Sequence, residues 1–332
     1  MAGENHVDHK ALKRFAENRV NVAKEDACKR REQVGHLRAR LEAHISVNPD
    51  YDLVKLRASG STAKHTAIKA VRGEGSDADV AAYLRTGDPD LDEAKILEWL
   101  HERCVEVYGK TKVADDFTIS QHAVGIVLRG SGLKIDVAPV LYLNDPDDQG
   151  YLVTRRGERV LTSVTLHLRF IAKRKAAAGP GYAELIRLLK AWIRHAKRHD
   201  PQLRCKSFLL ELVVAHLWEV GWHAVPLQVN DYPAAFEQVL SYLTVTELKQ
   251  PIVFNDFYQP DAVGPSTDAV QIWDPVNAAN NVASTYSDLD RRRLVDLAGE
   301  ALDNVSWAAT TPAKGTANDA WRQLFGPTFP GI

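Results

Sequence analysis

The sequence predicts an α+β chain in two lobes, a strand-bearing lobe followed by a helical one. Three observations predict it. Between residues 51 and 170, short apolar runs are bounded by Gly, Asn, Asp and Pro, the pattern of strands and turns. Beyond residue 171, apolar and polar positions interleave at helical spacing over long stretches. At 332 residues the chain also exceeds the usual span of a single core. The expected division is an N-terminal helical spine over 1–50 that packs on both lobes, a catalytic lobe over 51–170 and a helical lobe over 171–332.

Each element has its own warrant. From His9 to His44 the chain is charged and helix-forming, with Phe15, Val22, Val34, Leu37, Leu41 and Ile45 spaced as a stripe on one long helix or two. Asn48-Pro49-Asp50 stops it. Strands are expected at Leu53–Ala58, Asp77–Leu84, Thr118–Leu128 and Leu133–Leu143. A helix is expected from Leu91 to Tyr108, capped by Asp90, and Asn144 to Asp148 reads as a turn. In the second lobe helices are expected at Tyr182–Arg198, Ser207–Val220, Ala234–Glu247 and Leu289–Leu302. The tail from Thr311 is expected to pack through Trp321, Leu324 and Phe325. It lies outside the catalytic core, as the N-terminal helix does, so both are candidate docking sites for a regulator.

The chemistry concentrates in a Gly-Ser loop followed by three acids. The loop is Ser59-Gly60-Ser61-Thr62-Ala63-Lys64, and a helix is expected to start near Thr62 and run to Ala70. Gly60 permits close backbone approach, Ser61 offers a hydroxyl and an N–H, and a helix start favours phosphate. Asp77 and Asp79 are two apart on a strand, so both carboxylates point to one side. Asp136, flanked by Ile135, Val137 and Val140, would add a third from a neighbouring buried strand. Hard carboxylate oxygens suit two Mg²⁺ ions, with Mn²⁺ an alternative. Two ions about 3.5–4 Å apart stabilise the attacking and leaving oxygens of an in-line displacement. A loop for a triphosphate and carboxylates for two cations are what a two-metal nucleotidyl transferase requires.

Two stretches of the helical lobe bear on the same chemistry. Lys190, in Leu185–Trp192, either sits on an amphipathic helix or reaches across the cleft to a triphosphate. Lys206 and Ser207 stand where a helix begins, a place for anion contacts or a plain N-cap.

Composition narrows the class further. Lys+Arg 42 against Asp+Glu 43 gives a net charge of -1, so no global basic charge marks a nucleic-acid binder. The basic runs Lys173-Arg174-Lys175 and Arg291-Arg292-Arg293 are candidates for duplex DNA or, more simply, solvated helix faces. Cys28, Cys104 and Cys205 form no metal spacing and no disulfide framework. Met1–Lys10 is polar, and no apolar run reaches the roughly 18–20 residues of a membrane span. A cytoplasmic protein with no membrane association is expected.

Gly60-Ser61 followed by Asp77-x-Asp79 and Asp136 resembles the cGAS/DncV-like nucleotidyltransferases (CD-NTases) of bacterial CBASS anti-phage systems. Lys206 to Leu212 and Ile272 to Val282, with Asp274-Pro275 and Asn280-Asn281, are similar to the oligoadenylate-synthase-like helical lobe of that family. The likeness runs from His6-Val7-Asp8 to Trp321-Arg322-Gln323-Leu324-Phe325-Gly326. Arg129 to Leu133, Thr246-Glu247-Leu248 and Pro251 to Phe254 are similar to the clade C branch, CdnC.

The resemblance implies a polymerase β-like nucleotidyltransferase lobe with a mixed β-sheet, a helical lobe, and an active site in the cleft between. It implies that ATP or other NTPs are condensed into a cyclic oligonucleotide, best matched by cyclic tri-AMP, for anti-phage signalling. Ser61, the metals and Lys190 would hold the triphosphate, with Lys206 and Ser207 near the phosphates; Asp77 and Asp79 would hold both metals, and Asp136 the metal at the attacking hydroxyl, whose proton it would accept. A HORMA-domain regulator, a Trip13-like AAA+ ATPase, a downstream effector and duplex DNA as activator are the implied partners. An RNA-directed nucleotidyltransferase and a catalytically silent nucleotide-binding module are the alternatives. Two departures stand out: His65 follows Lys64 where the family commonly has Gly, and Val71–Ser76 is lengthened, with Gly73 and Gly75 suggesting a flexible lid.

Overall fold

The computed structural model describes residues 5–46, 51–71, 76–85 and 93–332. The chain divides into two units, Val22–Arg169 and a second that joins Met1–Asn21 to Phe170–Ile332. The division cuts the 1–50 segment after Asn21.

The Val22–Arg169 unit is built on a seven-stranded sheet. Strands β1 (Asp52–Ser59), β2 (Ser76–Arg85), β5 (Leu133–Tyr142), β4 (Val124–Leu128) and β3 (Phe117–Ile119) lie in that order. β6 (Gln149–Val153) pairs with the far half of β5, and β7 (Arg159–Ser163) with β6. Only β2 and β5 run parallel; the other pairs are antiparallel, so the sheet is mixed. Alternation along β2 decides what each face does. Ala78, Val80, Ala82 and Leu84 face one side, where α2 (Lys24–Ile45) and α4 (Ile96–Tyr108) cover them with Leu37, Leu41, Leu97 and Leu100. Asp77, Asp79, Ala81 and Tyr83 take the opposite face. On β5 the same alternation buries Ile135 and Val137 with the helices and turns Asp136 to the other side.

The second unit is helical. It begins with α1 (Asn5–Phe15), which ends in one π-helical turn over Ala16–Val20. It continues through α6 (Pro180–His199), α7 (Ser207–Val220), α8 (Tyr232–Thr246), α9 (Asp288–Thr310) and α10 (Lys314–Phe325). α5 (Val164–Ala178) spans the boundary between the units. Local signals start these helices. Pro180 opens α6, Asp231 caps α8 by accepting from the Ala234 N–H, and Ser287 and Asp290 form a reciprocal capping box on α9. The Asp274-Pro275 and Asn280-Asn281 string folds as a hairpin, β8 (Trp273–Asp274) with β9 (Asn277–Asn281). Its polar side chains bind backbone. Asp274 Oδ1 accepts from the Val276 N–H at 2.9 Å, and Asn281 Oδ1 accepts from the Ile272 and Ala283 N–H groups at 3.0 Å each.

Several sequence expectations are corrected here. The helix expected to run to Ala70 is a single turn, α3 (Gly60–Lys64). His65 ends it in the left-handed region (φ 59°), and the Thr66 and Ala67 N–H groups fold back on the Ser61 carbonyl. The strand expected over Thr118–Leu128 is a hairpin, because Ser120 to Ala123 turns the chain. β6, β7, α5 and the β8–β9 hairpin were not anticipated. The Asp90 cap and the Gly73–Gly75 lid lie outside the described residues.

Each basic run is part buried and part exposed: Arg174 and Arg291 are buried, whereas Lys173 and Arg292 stand on the surface. Arg174 is 2 % exposed and donates to Asp256 and Glu219, and Lys173 pairs with Asp256. Arg291 is 5 % exposed against Asp288 and Glu247. The tail packs through Trp321, Leu324 and Phe325 as expected, and so firmly that it is no loose docking arm: with Phe329 these side chains are all buried. No helix among the described residues is long and apolar enough to cross a membrane.

Candidate active site

The site is assembled by strand register. β1 and β2 pair with Ser59 opposite Asp79, which brings the loop at the end of β1 against the acids of β2. β2 and β5 pair with Asp79 opposite Asp136 and Asp77 opposite Lys134. Paired residues point the same way, so one sheet face carries Asp77, Asp79, Asp136 and Lys134 together. The structure thus gathers Gly60, Ser61 and the three carboxylates at one end of that face.

Gly60 is required by space and by backbone. Its φ is 62°, and a Cβ there would meet Asp79 Oδ2 at 1.7 Å. Thr62 Oγ1 donates to the Asp77 carbonyl at 3.4 Å, a long bond that ties the loop to β2. Gly125 clears the other side: a Cβ would lie 2.7 Å from Lys134 Cε and 2.9 Å from Asp136 Oδ1.

Electrostatics shows like charges held close. Burial, then repulsion from Asp136, raises the Asp77 carboxyl above its ordinary value, against pulls from Lys134 and Arg30. Burial, then Asp136 and Asp77, raises Asp79, against pulls from Lys64 and Lys134. Lys134 Nζ lies 2.9 Å from Asp136 Oδ1 and donates to Oδ2 at 3.2 Å. Oδ1 is buried and takes no aligned hydrogen bond.

These residues fit a divalent metal. A buried carboxylate oxygen without an aligned hydrogen bond, beside two carboxyls raised by burial and then by repulsion, is relieved by a cation. Among the described residues no three His, Cys, Asp or Glu side chains converge tightly enough to cage an ion. Magnesium does not ask for a cage, since it keeps waters and takes substrate phosphates beside one or two carboxylates.

The remaining sequence candidates lie in the helical unit. Lys190 is 5 % exposed, and its Nζ is 2.7 Å from Glu211 Oε1, also buried. The ammonium is matched by a carboxylate one turn beyond Ser207, so a reach of Lys190 to a triphosphate would compete with that pair. Lys206 and Ser207 are exposed at the start of α7, beside a hollow of about 510 Å³ also lined by Lys197 and Arg204. Lys206 Nζ donates to the Val282 carbonyl at 3.1 Å, and burial, then Arg204, lowers its pKa.

Sequence reasoning missed Lys134, Gly125 and Arg30. Lys134 had a signal, since it stands two residues before Asp136 on a strand. Arg30 had none, because only the packing of α2 brings its charge to Asp77.

Comparison with known proteins identifies the family. Residues 7–160 match the Second Messenger Oligonucleotide or Dinucleotide Synthetase (SMODS) domain. The chain is 38 % identical over 327 residues to the cyclic AMP-AMP-AMP synthase of Escherichia coli MS 115-1, covering 98 % of this chain and 99 % of that one. It is 28 % identical over 301 residues to the CBASS oligonucleotide cyclase CdnC of E. coli KTE188, covering 90 % and 89 %. The solved structure of E. coli MS115-1 CdnC with ATP superposes with a TM-score of 0.86, covering 98 % of this chain and 100 % of that one. The Vibrio cholerae DncV cyclic AMP-GMP synthase, at 13 % identity and 96 % coverage of each chain, shares the fold with a TM-score of 0.69. A paired-carboxylate strand beside a Gly-Ser loop, on a chain this similar along its whole length, makes the protein a CD-NTase of the CBASS anti-phage systems, a cyclic oligonucleotide synthase most like the CdnC branch.

Proposed function

We propose that the chain condenses ATP into cyclic tri-AMP. The observation that carries the mechanism is the register that sets Asp79 beside Asp136 and against the Gly60 loop. The product is supported by the 38 % identical relative named for cyclic AMP-AMP-AMP synthesis.

The chain's own residues would act as follows. Gly60 and Ser61 receive the triphosphate where the backbone can approach closely. Asp77, Asp79 and Asp136 would hold the divalent ions, Mg²⁺ or in its place Mn²⁺. Bound there, the ions would supply charge neutralisation at the attacking and leaving oxygens. Asp136 takes up the proton of the attacking ribose hydroxyl as the new bond to the α-phosphorus forms and pyrophosphate leaves. A linear oligonucleotide results, and ring closure repeats the step. Most of the acceleration is orientation of reactants in a shared site. Lys206 and Ser207 would contact phosphate from the helical unit. Lys190 joins them only by exchanging Glu211 for a phosphate oxygen.

The E. coli MS115-1 CdnC has been solved in complex with a HORMA protein. By that likeness a HORMA-domain regulator binds this chain, with a Trip13-like ATPase and a product-reading effector completing the circuit. Of the two basic runs, Arg174 and Arg291 are held in ion pairs, which leaves their exposed neighbours Lys173 and Arg292 as the candidates for duplex DNA.

Mass spectrometry of the nuclease-resistant product from all four NTPs with Mg²⁺ tests the proposal. Wild type is run beside Asp136→Ala, with and without a HORMA partner. A cyclic tri-adenylate mass that disappears in the variant is expected. A different cyclic mass would reject the product and keep the chemistry; a product that requires an RNA acceptor would reject both.

A further inference from the structure

We propose that Lys134 is a built-in counter-cation for Asp136, which a divalent ion must displace before the site can work. The inference rests on the two-metal reading above and adds a residue that sets the ion concentration the enzyme needs.

The geometry is specific. Lys134 Nζ lies 2.9 Å from one Asp136 oxygen and 3.2 Å from the other, so one ammonium faces the whole carboxylate. The two residues are two apart on β5 and share a face, which makes their meeting a property of the strand rather than of a mobile loop. Gly125 on β4, opposite Asp136 in the ladder, is cut back to make room, since a Cβ would crowd both Lys134 Cε and Asp136 Oδ1. Lys134 also stands opposite Asp77 across the β2–β5 ladder. Lys134 is thereby placed among three carboxylates.

A magnesium or manganese ion bound to Asp136 would sit about 2.0–2.1 Å from its oxygen. Both oxygens already face the ammonium, so the ion and the ammonium would be neighbours on one carboxylate and repel. The lysine stem is long and flexible, so its head can leave without moving the strand. Three carboxylates on one sheet face repel one another when no cation lies among them. Lys134 limits that repulsion in the metal-free protein and raises the threshold for metal. No proton transfer is involved.

Binding of Mn²⁺ alone to the metal-free full chain, followed by the EPR signal of the free ion, tests this. Lys134→Met and Lys134→Gln are expected to lower the half-saturating Mn²⁺ concentration by about 10-fold. Lys134→Arg, which keeps the charge, is expected to bind no more tightly than wild type. Melting in EDTA and circular dichroism show which variants fold, and either neutral variant suffices. Unchanged or weaker binding in the folded neutral variants overturns the proposal. Asp79→Asn serves as the control on the underlying reading. If it leaves Mn²⁺ binding intact, the two-metal reading fails; if it removes binding while the neutral variants do not tighten it, only the Lys134 proposal fails.

Discussion

At the scale of the residue, the site is a set of close tolerances around Asp79. Gly60 leaves no room for a methyl group, since its Cβ would fall 1.7 Å from Asp79 Oδ2. Gly60→Ala must therefore push the loop or the carboxylate aside by an ångström or more. A displacement of that size costs about 10²-fold in rate, and steady-state turnover with circular dichroism on the variant should show the loss without loss of fold. The charge tells a second story. The Asp79 carboxyl is raised from 3.8 by burial and by Asp136 and Asp77. A carboxyl raised in the folded state binds its proton more tightly folded than unfolded, so stability falls as pH rises from 3.8 through the raised value, and stays lowered above it. Asp79→Asn removes that penalty. In EDTA at neutral pH the variant should melt a few degrees above wild type, with the gap closing in acid, while activity is lost. Equal melting of the two at neutral pH would contradict this account. His65 is the residue at which this chain departs from its family's usual glycine, and its left-handed φ of 59° explains why glycine is usual there.

At the scale of the element, α6 and α7 show how a motif read as a ligand-binding stretch also serves the core. Leu185, Ile186, Leu188 and Leu189 bury the α6 face, and the same face buries Lys190. A buried ammonium is tolerable because Glu211 on α7 meets it at 2.7 Å. Glu211→Ala would remove that ion pair from a buried ammonium, at a cost of about 3–5 kcal/mol, and urea denaturation should show it as a lower midpoint. An unchanged midpoint would mean that Lys190 finds water or another partner. The helices of this unit were legible because their signals are local: Pro180, Asp231 and Ser287 each mark a start. The short strands β6 and β7 and the β8–β9 hairpin were not. Two to five residues carry too little periodicity to separate a strand from a loop, and partners on other strands define them.

At the scale of the whole molecule, the two ends of the helical unit are stapled. Phe15 at the end of α1 lies 4.9 Å from Phe325 and 5.4 Å from Phe329, ring centre to ring centre. Phe236 meets Trp321 and Phe325 from α8. Removing Thr311–Ile332 would therefore expose a core, so that deletion cannot serve as a clean test of regulator docking. The shortened chain is expected to lose its cooperative melt or its solubility, whereas Trp321→Ala alone should cost about 3–5 kcal/mol. Calorimetry of both would decide, and a deletion that melts like wild type would contradict the packing argument.

The sequence by itself determined the acids, the loop, most helices and the family, because each depends on residues adjacent or at fixed local spacing. Asp77 and Asp79 share a face by the two-residue period of a strand, whatever surrounds them. Only the tertiary structure decided that Asp136 lies opposite Asp79, that Lys134 stands against Asp136, that Arg30 reaches Asp77 with its charge and that Lys190 faces Glu211. Those neighbours come from strand register and helix packing between segments distant in the chain. Local periodicity says which way a side chain points, but not what it will meet.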